Sequence, residues 1–442
     1  MGDRTFHGGV HPAEHKELSC KASLVPYMPK GELVFLMNQH IGKPAAPIVQ
    51  KGDRVLAGQR IAEATGFVSA NIFSSVSGTV KAIEPRPTAA GPMAQAIVIT
   101  PDGENTLAEG IGTQTNYLDL TNQEILDRIK AAGIVGMGGA GFPTHVKLTV
   151  KDPNKIRYVI ANGAECEPYI TCDDQLMQTH AEEIVTGIEI ILRLFPQAHG
   201  VVCIENNKPD AIAAMKAACE GRGRISVMPM KTKYPQGGER SLISVVASRH
   251  LKLGMLPADA GCVVDNVASI RAVYRAVCLN EPLMERGVTV SGDSVKNPGN
   301  FWVKIGTSSR ELVDACGGWN EGLEPEKILS GGPMMGIPLV NLDVPICKNN
   351  NAITALSVDP VSAAPMTACL RCGRCNRVCP LGLSPQLMQV AAQHKDYERY
   401  EKRLYGLECI ACGCCTYICP AKRPLMQLFK VTKAEIMATK KR

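Results

Sequence analysis

Two stretches of sequence decide the fold of the C-terminal end: CLRCGRCNRVCP at residues 369–380 and CIACGCCTYICP at residues 409–420. Both follow the pattern C-x2-C-x2-C-x3-C-P, which is typical of domains that hold two 4Fe-4S clusters. In such domains three thiolates of a loop bind one cluster, and the fourth reaches across to the other. We therefore assign Cys369, Cys372, Cys375 and Cys419 to cluster one, and Cys409, Cys412, Cys415 and Cys379 to cluster two.

A pair of zinc ribbons is the alternative interpretation, but zinc ribbons normally use two CxxC pairs that lie far apart. Cys414 is outside the repeated register, and we interpret it as a packed thiol without a ligand role. The sequence has no long apolar run and no secretory signal. We therefore expect a chain without a membrane span that stays in the cytoplasm, where reduced thiols are available for metals.

The formal charge of +6 arises after residue 394, because the preceding residues are neutral overall. A basic end is compatible with nucleic-acid binding, but no aromatic-rich sheet motif or recognition-helix pattern accompanies it. We therefore predict no nucleic-acid partner. The basic charge would instead offset that of the clusters or face an anionic partner or membrane surface. The apolar residues between 425 and 431 suit lipid or protein equally.

A glycine loop, GMGGAGFP, occupies residues 136–143 and matches G-x-G-x-x-G. A dinucleotide fingerprint requires a strand before the loop, whereas residues 124–132 have a helix pattern that ends at Gly133. The loop therefore predicts a phosphate or flavin site, with Lys147 just beyond it.

Polar clusters follow several predicted elements of the central region. A strand over 157–161 leads into NGAECEP at 162–168, a helix covers 180–195, and a strand covers 200–204. YPQGGER (234–240) and VVDNVAS (263–269) follow. Each cluster alone could be turn chemistry, although strand ends of open α/β sheets are where ligands bind.

In this order the clusters resemble the flavin-binding subunit of complex I and the NADH-oxidising flavoproteins of bidirectional and bifurcating hydrogenases. The resemblance implies that FMN is bound by Gly136, Gly138, Lys147, Asn162, Glu165, Tyr234, Gly237, Gly238, Asp265, Asn266 and Ser269. It implies that NADH is bound by Phe142, Glu167 and Glu239, with Glu167 as the catalytic residue that positions the nicotinamide. Two residues depart from the pattern: Met137 replaces a usual arginine and Asp265 a usual asparagine.

Both flanks of the central region have β patterns. Residues 34–98 alternate short apolar runs with glycines and resemble the sandwich of biotinyl and lipoyl carriers. The hairpin at 66–71 lacks the carrier lysine, so we predict a structural module. Residues 287–343 resemble the small β-grasp (SLBB-like) domain of the flavoprotein families, and the Asn-, Ala-, Ser- and Pro-rich residues after it predict a linker.

The opening FHGGVHP at 6–12, together with the domain order, closely resembles the RnfC family, the flavin and iron–sulfur component of the Rnf ion-translocating oxidoreductase complex, from Thr5 to Lys433. We predict a multidomain α/β plus β fold. Its parts are a barrel-sandwich-like β module (1–115), a complex I-type α/β domain for FMN and NADH (116–286), a β-grasp domain (287–348), a linker (349–365) and a ferredoxin-like α-helical domain with two 4Fe-4S clusters (366–442). His7 and His11 would stabilise a turn or bind a metal.

The resemblance implies a peripheral subunit on the cytoplasmic face of the cell membrane. It would exchange hydride between NAD(H) and FMN and pass single electrons through the clusters to membrane partners, including a ferredoxin-like iron–sulfur subunit, while the complex moves Na+ or H+. Two alternatives remain open from the sequence. One is the flavoprotein subunit of a soluble bifurcating hydrogenase, and the other is a non-catalytic iron–sulfur scaffold.

Overall fold

The computed structural model describes residues 4–252, 254–359 and 363–440. The first strand, β1 (Leu24–Tyr27), is followed by a sandwich of two small antiparallel sheets. One sheet has the order β2-β8-β7-β4, and the other has the order β3-β5-β6. Their strands are β2 (Leu33–Leu36), β3 (Ala46–Pro47), β4 (Arg54–Val55), β5 (Arg60–Glu63), β6 (Ile72–Phe73), β7 (Gly78–Pro87) and β8 (Met93–Pro101). Fully buried side chains such as Phe35, Ile61 and Ile97 fill the space between the sheets.

The central domain is an open α/β sheet with four parallel strands in the order β11-β10-β9-β12. Its strands are β9 (Tyr158–Gly163), β10 (His199–Glu205), β11 (Ile225–Met230) and β12 (Cys262–Asn266). Its helices are α1 (Asn122–Ala131), α2 (Thr144–Leu148), α3 (Cys172–Thr179), α4 (Ala181–Leu194), α5 (Pro209–Ala218), α6 (Glu239–Ala247) and α7 (Val267–Leu279). The chain order reverses between β9 and β12, and the crevice at such a reversal is where open α/β sheets bind ligands.

Local sequence signals set the helices of this domain. Thr121 and Glu124 form a capping box at the start of α1, and Gly133 has a φ of +65° just after its end, as the sequence predicts. The apolar face of α4 packs on α7. Gly187 permits this close approach, because a Cβ atom there would lie 2.3 Å from the carbonyl oxygen of Ile270.

The next domain is built on a six-stranded sheet with the order β1-β14-β13-β17-β15-β16. Its later elements are β13 (Glu285–Ser291), β14 (Gly299–Lys304), α8 (Ser309–Ala315), β15 (Lys327–Ser330), β16 (Ile337–Pro338) and β17 (Ala352–Leu356). The N-terminal strand β1 forms its edge by pairing in parallel with β14. The sandwich is therefore inserted between the first strand of this sheet and the rest of it.

The linker predicted for 349–365 is wrong where β17 forms. All five residues of β17 are buried, and the strand lies inside the sheet between β13 and β15. Small residues such as Ala352 and Ala355 gave the segment a linker-like composition, but its apolar Ile353 and Leu356 are buried in the sheet as well. Residues 360–362 of the predicted linker lie outside the described residues.

The C-terminal domain is helical and has an internal repeat of 40 residues. Its helices are α9 (Arg374–Val378), α10 (Pro385–Gln393), α11 (Cys414–Tyr417) and α12 (Leu425–Thr439). α10 begins at Pro385 as the sequence predicts, although it ends at Gln393 rather than near residue 404. Helix α9 packs on α11 and α10 on α12, so the two halves face each other.

The apolar side of α12 faces this domain's own core. Leu425, Phe429 and Ile436 are buried together with Met388 of α10. This packing accounts for Leu425 and Phe429, two of the apolar residues that the sequence left open between lipid and protein, whereas Val431 is exposed. Within the described residues, no helix combines the length and apolar character needed to cross a bilayer.

Candidate functional site

The glycine loop lies against the start of α7 at the carboxyl edge of the parallel sheet. The main-chain amide of Met137 donates to the Ser269 hydroxyl over 2.8 Å, and that of Gly136 donates to the Phe142 carbonyl over 2.8 Å. A Cβ atom on Gly138 would lie 3.0 Å from the side chain of Asn266. Gly138, Gly139 and Ala140 are exposed, so the loop presents open main chain above the reversal between β9 and β12.

A lysine–aspartate pair lies beside the loop. The Lys147 ammonium donates to the Val264 carbonyl over 3.0 Å and lies 3.5 Å from the buried carboxylate of Asp265. Glu239, the exposed first residue of α6, lies near enough to interact electrostatically with both. Asp265 replaces the asparagine usual in the flavoproteins that this region resembles, and its negative charge is offset by Lys147.

The turn before α6 closes the opposite side of the crevice. The Asn162 side-chain amide, at the end of β9, donates to the Gly237 carbonyl over 2.9 Å, and its oxygen accepts from the amide of Ala164 over 3.2 Å. Gly238 is the N-cap of α6. The structure thus brings most of the predicted FMN residues to one edge of the sheet.

Glu165 follows the end of β9, and its carboxylate lies in a network of buried charged side chains. Its carboxylate accepts from the amides of Asp173 and Asp174 at the start of α3, over 2.7 and 3.3 Å. Burial raises the pKa of Glu165 to about 8, although nearby Lys16 and Lys208 oppose this. The ammonium of Lys16 donates to the carbonyl of Glu165, and that of Lys208 to the carbonyl of Ala164.

Sequence reasoning missed both lysines. Lys16 is distant in sequence and belongs to no motif, whereas Lys208 lies three residues after the end of β10, and this position near a strand end was the available signal.

Glu167 and Tyr234 lie farther from the glycine loop, at the border with the C-terminal domain. The Glu167 carboxylate accepts from the amides of Met334 and Met335 over 3.0 and 2.9 Å, and burial raises its pKa to about 7. The Tyr234 hydroxyl donates to the Cys412 carbonyl over 2.8 Å. Tyr234 thus connects the α/β domain to the loop that carries Cys412, whereas Glu167 is held by main chain between β15 and β16 of the six-stranded sheet's domain.

The four cysteines assigned to cluster two line one cavity. They are Cys379, Cys409, Cys412 and Cys415. Apart from these and Cys414, every residue that lines the cavity is apolar. Burial raises the pKa of the Cys409 thiol to about 11, and cysteine binds metals as the thiolate, so metal binding at this site would release a proton.

The two cysteine loops repeat the same unusual main-chain conformation. Arg371 and Ala411 have φ of +54° and +53°, and Gly373 and Gly413 have φ of +69° and +82°. Left-handed residues at equivalent positions turn both loops around one point, as three ligands of one cluster require. Cys375 of the first loop lies near Cys419 of the second, whereas Cys369 and Cys372 are exposed.

An N-terminal strap, residues 6–11, joins the two redox domains. The amide of Gly9 donates to the Val378 carbonyl over 2.8 Å, and Val10 exchanges two main-chain hydrogen bonds with Tyr234. Gly8 and Gly9 have φ of +79° and +80°, and a Cβ atom on Gly8 would lie 2.8 Å from the Cys379 carbonyl oxygen.

Val10, Tyr234, Met334, Cys412 and Cys414 form one small apolar core, drawn from four parts of the chain. The sequence predicted turn stabilisation or metal binding by His7 and His11. Both are exposed, and within the described residues neither belongs to a group of candidate metal ligands.

The donor atoms fit both kinds of cofactor. Exposed glycine main chain beside Lys147 suits a phosphate group, because amides and an ammonium group are its usual donors in proteins. A Cβ atom on Gly136 would lie 3.6 Å from the Lys147 ammonium, which places this charge at the loop. Four thiols around an apolar cavity suit a 4Fe-4S cluster.

This fold and site define an electron-transfer protein that combines an FMN domain with a 4Fe-4S domain. Family models match along the chain: the RnfC barrel sandwich hybrid domain over residues 4–104, the Nuo51 FMN-binding domain over 129–275, the SLBB domain over 288–338 and the 4Fe-4S dicluster domain over 365–420. The predicted fold class is therefore confirmed, as are the predicted FMN and 4Fe-4S cofactors.

Relatives cover nearly the whole chain. The RnfC-type component of the proton-translocating ferredoxin:NAD(+) oxidoreductase complex of Clostridium ljungdahlii is 43% identical over 99% of this chain and 95% of its own. Its Na(+)-translocating counterpart from Acetobacterium woodii is 40% identical over 99% of this chain and 98% of its own. The chain therefore belongs to the RnfC family of ion-translocating ferredoxin:NAD(+) oxidoreductase complexes.

A solved NAD+-reducing [NiFe]-hydrogenase in the H2-reduced state shares the fold. Its TM-score is 0.50 at 19% identity, over 74% of this chain and 67% of that chain.

Proposed function

We propose that this chain is the subunit that exchanges electrons with NAD(H) in a membrane-bound, ion-translocating NAD:ferredoxin oxidoreductase. The names of the two relatives support the overall reaction. The observation that carries the proposal is the contact between Tyr234 and Cys412, which joins the proposed flavin site to the cavity proposed for cluster two.

When bound, FMN would supply the exchange between a two-electron hydride carrier and single-electron carriers, and the 4Fe-4S clusters would supply single-electron transfer. In the proposed assignment, Lys147 and the glycine loop hold the FMN phosphate, and Asn162, Asn266 and Ser269 fix the surrounding main chain. Phe142, Glu167 and Glu239 bind NADH. Glu167 acts by position, because two main-chain amides already hold its carboxylate.

The proposed place of the chain is the cytoplasmic face of the cell membrane, bound to other subunits that include a ferredoxin-like iron–sulfur subunit. Family membership favours this proposal over a subunit of a soluble bifurcating hydrogenase, because the likeness to a hydrogenase is one of fold alone. The contact between the two redox domains favours it over a non-catalytic scaffold.

Anaerobic purification of the full chain with FMN reconstitution tests the proposal. We expect about one FMN and about eight irons per chain, as an FMN domain with two 4Fe-4S clusters requires, and NADH-dependent reduction of ferricyanide. A chain that retains its clusters but neither binds FMN nor oxidises NADH would contradict the proposal.

Cysteine variants test the crossed ligand assignment. Cys379→Ala and Cys409→Ala should give the same EPR spectrum of a single remaining cluster, because both remove a ligand of cluster two. If the ligands are not crossed, Cys379→Ala will instead match Cys369→Ala. Cys316→Ala, at a buried cysteine outside both loops, is the control and should retain both clusters.

A further inference from the structure

The two cysteine loops have the same internal conformation but different surroundings. The cluster-two loop is covered by the junction with Val10, Tyr234 and Met334. The cluster-one loop, residues 369–378, instead reaches the surface, where Cys369 and Cys372 are exposed and Leu370 is 65% exposed. Cluster two would therefore lie on the side of this domain that faces the flavin site, and cluster one would lie on its outer side.

The 40-residue repeat shows what is special about the cluster-one loop. Its arginines at 371, 374 and 377 correspond in the repeat to Ala411, Cys414 and Tyr417. The ligand pattern requires none of the three arginines, because the other loop has the same pattern without them. Their positive charges are therefore not needed to bind the cluster and are available for contacts with another molecule.

The three arginines have no acidic partners. All three are exposed, and no ion pair in the described part of the chain includes any of them. The sequence from Val361 to Lys395 contains no aspartate or glutamate. The loop therefore presents an apolar residue, Leu370, beside three guanidinium groups that are not paired with acidic side chains.

We propose that the cluster-one loop is the docking surface for an iron–sulfur protein with an acidic face, which exchanges single electrons with cluster one. This inference rests on the proposed function. Overall, one NADH and two oxidised partner molecules give NAD+, one proton and two reduced partner molecules, or the reverse. Arginine is enriched in interface cores, and complementary charge accelerates association of weak electron-transfer pairs.

The surroundings favour a protein over a lipid surface. Membrane-surface binding normally uses an amphipathic helix with an apolar face turned outward. In this domain α12 packs Leu425, Phe429 and Ile436 inward, and its exposed Val431 and Met437 lie about 120° apart around the helix, so they do not form one apolar face. Helix α9, which carries two of the arginines, has only five residues. Leu370 contributes a small apolar centre, which suits a compact and transient contact.

The test follows electron transfer from a reduced, acidic plant-type [2Fe–2S] ferredoxin to the oxidised full chain with both clusters and FMN bound. We expect the second-order rate constant to fall steeply as salt rises from 50 to 500 mM, because screening weakens steering. The variant R371E/R374E/R377E should lower the low-salt constant at least tenfold and remove its salt dependence.

Controls separate docking from other effects. The variant K51E/K151E/K216E makes the same charge change at exposed lysines elsewhere and should stay within twofold of the unaltered chain. The small cationic donor reduced methyl viologen should reduce the arginine variant at least as fast as the unaltered chain. Arg→Gln at the same three positions provides a milder variant if the reversed charges impair cluster loading.

Several outcomes would overturn the inference. Equal ferredoxin rates in the unaltered chain and the arginine variant would do so. So would binding to phosphatidylserine vesicles that the arginine variant loses while its ferredoxin rate stays normal, because the surface would then serve a membrane. Failure of NADH to reduce the clusters would instead contradict the proposed function, since reduced ferredoxin supplies electrons without NADH.

Discussion

The hydroxyl of Tyr234 donates a hydrogen bond to the main-chain carbonyl oxygen of Cys412 across 2.8 Å. Tyr234 belongs to the α/β domain and is only 2% exposed. Its main chain exchanges two hydrogen bonds with Val10 of the N-terminal strap. A proposed cluster ligand is thereby fixed to a turn of the proposed flavin site.

Tyr234→Phe should loosen this border while leaving its packing intact. The change leaves the buried carbonyl of Cys412 without this donor, which costs about 1–3 kcal/mol. We expect native-state hydrogen exchange at the Val10 amide to accelerate accordingly and NADH-driven reduction of the clusters to slow. The control is Tyr397→Phe, whose lost hydrogen bond to Glu435 lies at the surface. Equal exchange at Val10 in both variants would show that the Tyr234 hydroxyl does not hold the border.

Gly9→Ala should detach the N-terminal strap. Gly9 has a φ of +80°, and a Cβ atom there would lie 2.7 Å from the Tyr234 carbonyl oxygen. Gly221→Ala is the matched control, because Gly221 has a φ of +78° with nothing within 4 Å. The left-handed conformation costs both alanines about 1–2 kcal/mol, but only Gly9→Ala adds a clash. Protease cleavage near residue 9 should increase in Gly9→Ala alone, and equal cleavage in both variants would contradict the role of the strap.

Asp265→Asn should tighten FMN binding. The carboxylate of Asp265 now offsets the charge of Lys147, 3.5 Å away. Its removal should leave the ammonium free for an anionic phosphate, and a gain of about 1.4 kcal/mol corresponds to tenfold tighter binding. Quenching of flavin fluorescence during titration of the flavin-free chain measures this. The surface variant Asp152→Asn, which breaks a pair with Lys155, should not change FMN affinity. Unchanged or weaker FMN binding by Asp265→Asn would place Lys147 away from the phosphate.

Lys348 should make stability rise with pH in the alkaline range. Its buried ammonium donates to the carbonyls of Asn71 and Gly133, and burial lowers its pKa to about 7. Because an unfolded lysine titrates near 10.4, the unfolded chain binds more protons between these values. This lysine therefore adds up to about 1.4 kcal/mol of stability per pH unit as pH rises from 7 to 10.

Thermal unfolding followed by tryptophan fluorescence measures this effect, because both tryptophans, Trp302 and Trp319, belong to the domain of the six-stranded sheet. Lys348→Met should remove the lysine contribution to the pH slope, whereas Lys296→Met at an exposed lysine should keep it. An unchanged slope in Lys348→Met would show that Lys348 titrates near its ordinary value.

Patterns short in sequence predicted most of the proposed site. The cysteine spacing, the glycine loop and the polar ends of β9 and β12 are each set by neighbouring residues, and the parallel sheet brings the strand ends together. Tyr234 and Glu167 were identified as site residues, but the contact of Tyr234 with the C-terminal domain and that of Glu167 with Met334 and Met335 were not predicted. That contact depends on how separate domains pack, which no local motif encodes.

Long-range pairings account for what the sequence did not reveal. β1 has few residues and contains Pro26, yet it pairs with β14 at residues 300–303. The strap is held by the hydrogen bond from the Gly9 amide to the Val378 carbonyl. Lys16 takes part in the site because its ammonium donates to the carbonyl of Glu165, just after the end of β9. In each of these pairs the two partners are far apart in the sequence, so the residues flanking either partner do not indicate the contact.

The hydrogen bond between Gly9 and Val378 also constrains when this part of the protein can fold, because it can form only after Val378 has been synthesised. Translation at about 5–20 residues per second delivers Val378 roughly twenty to seventy seconds after Gly9. During that interval the start of the nascent chain has no lasting partner for this bond. The border between the redox centres is therefore completed last, once the second half of the chain has emerged and can receive its iron.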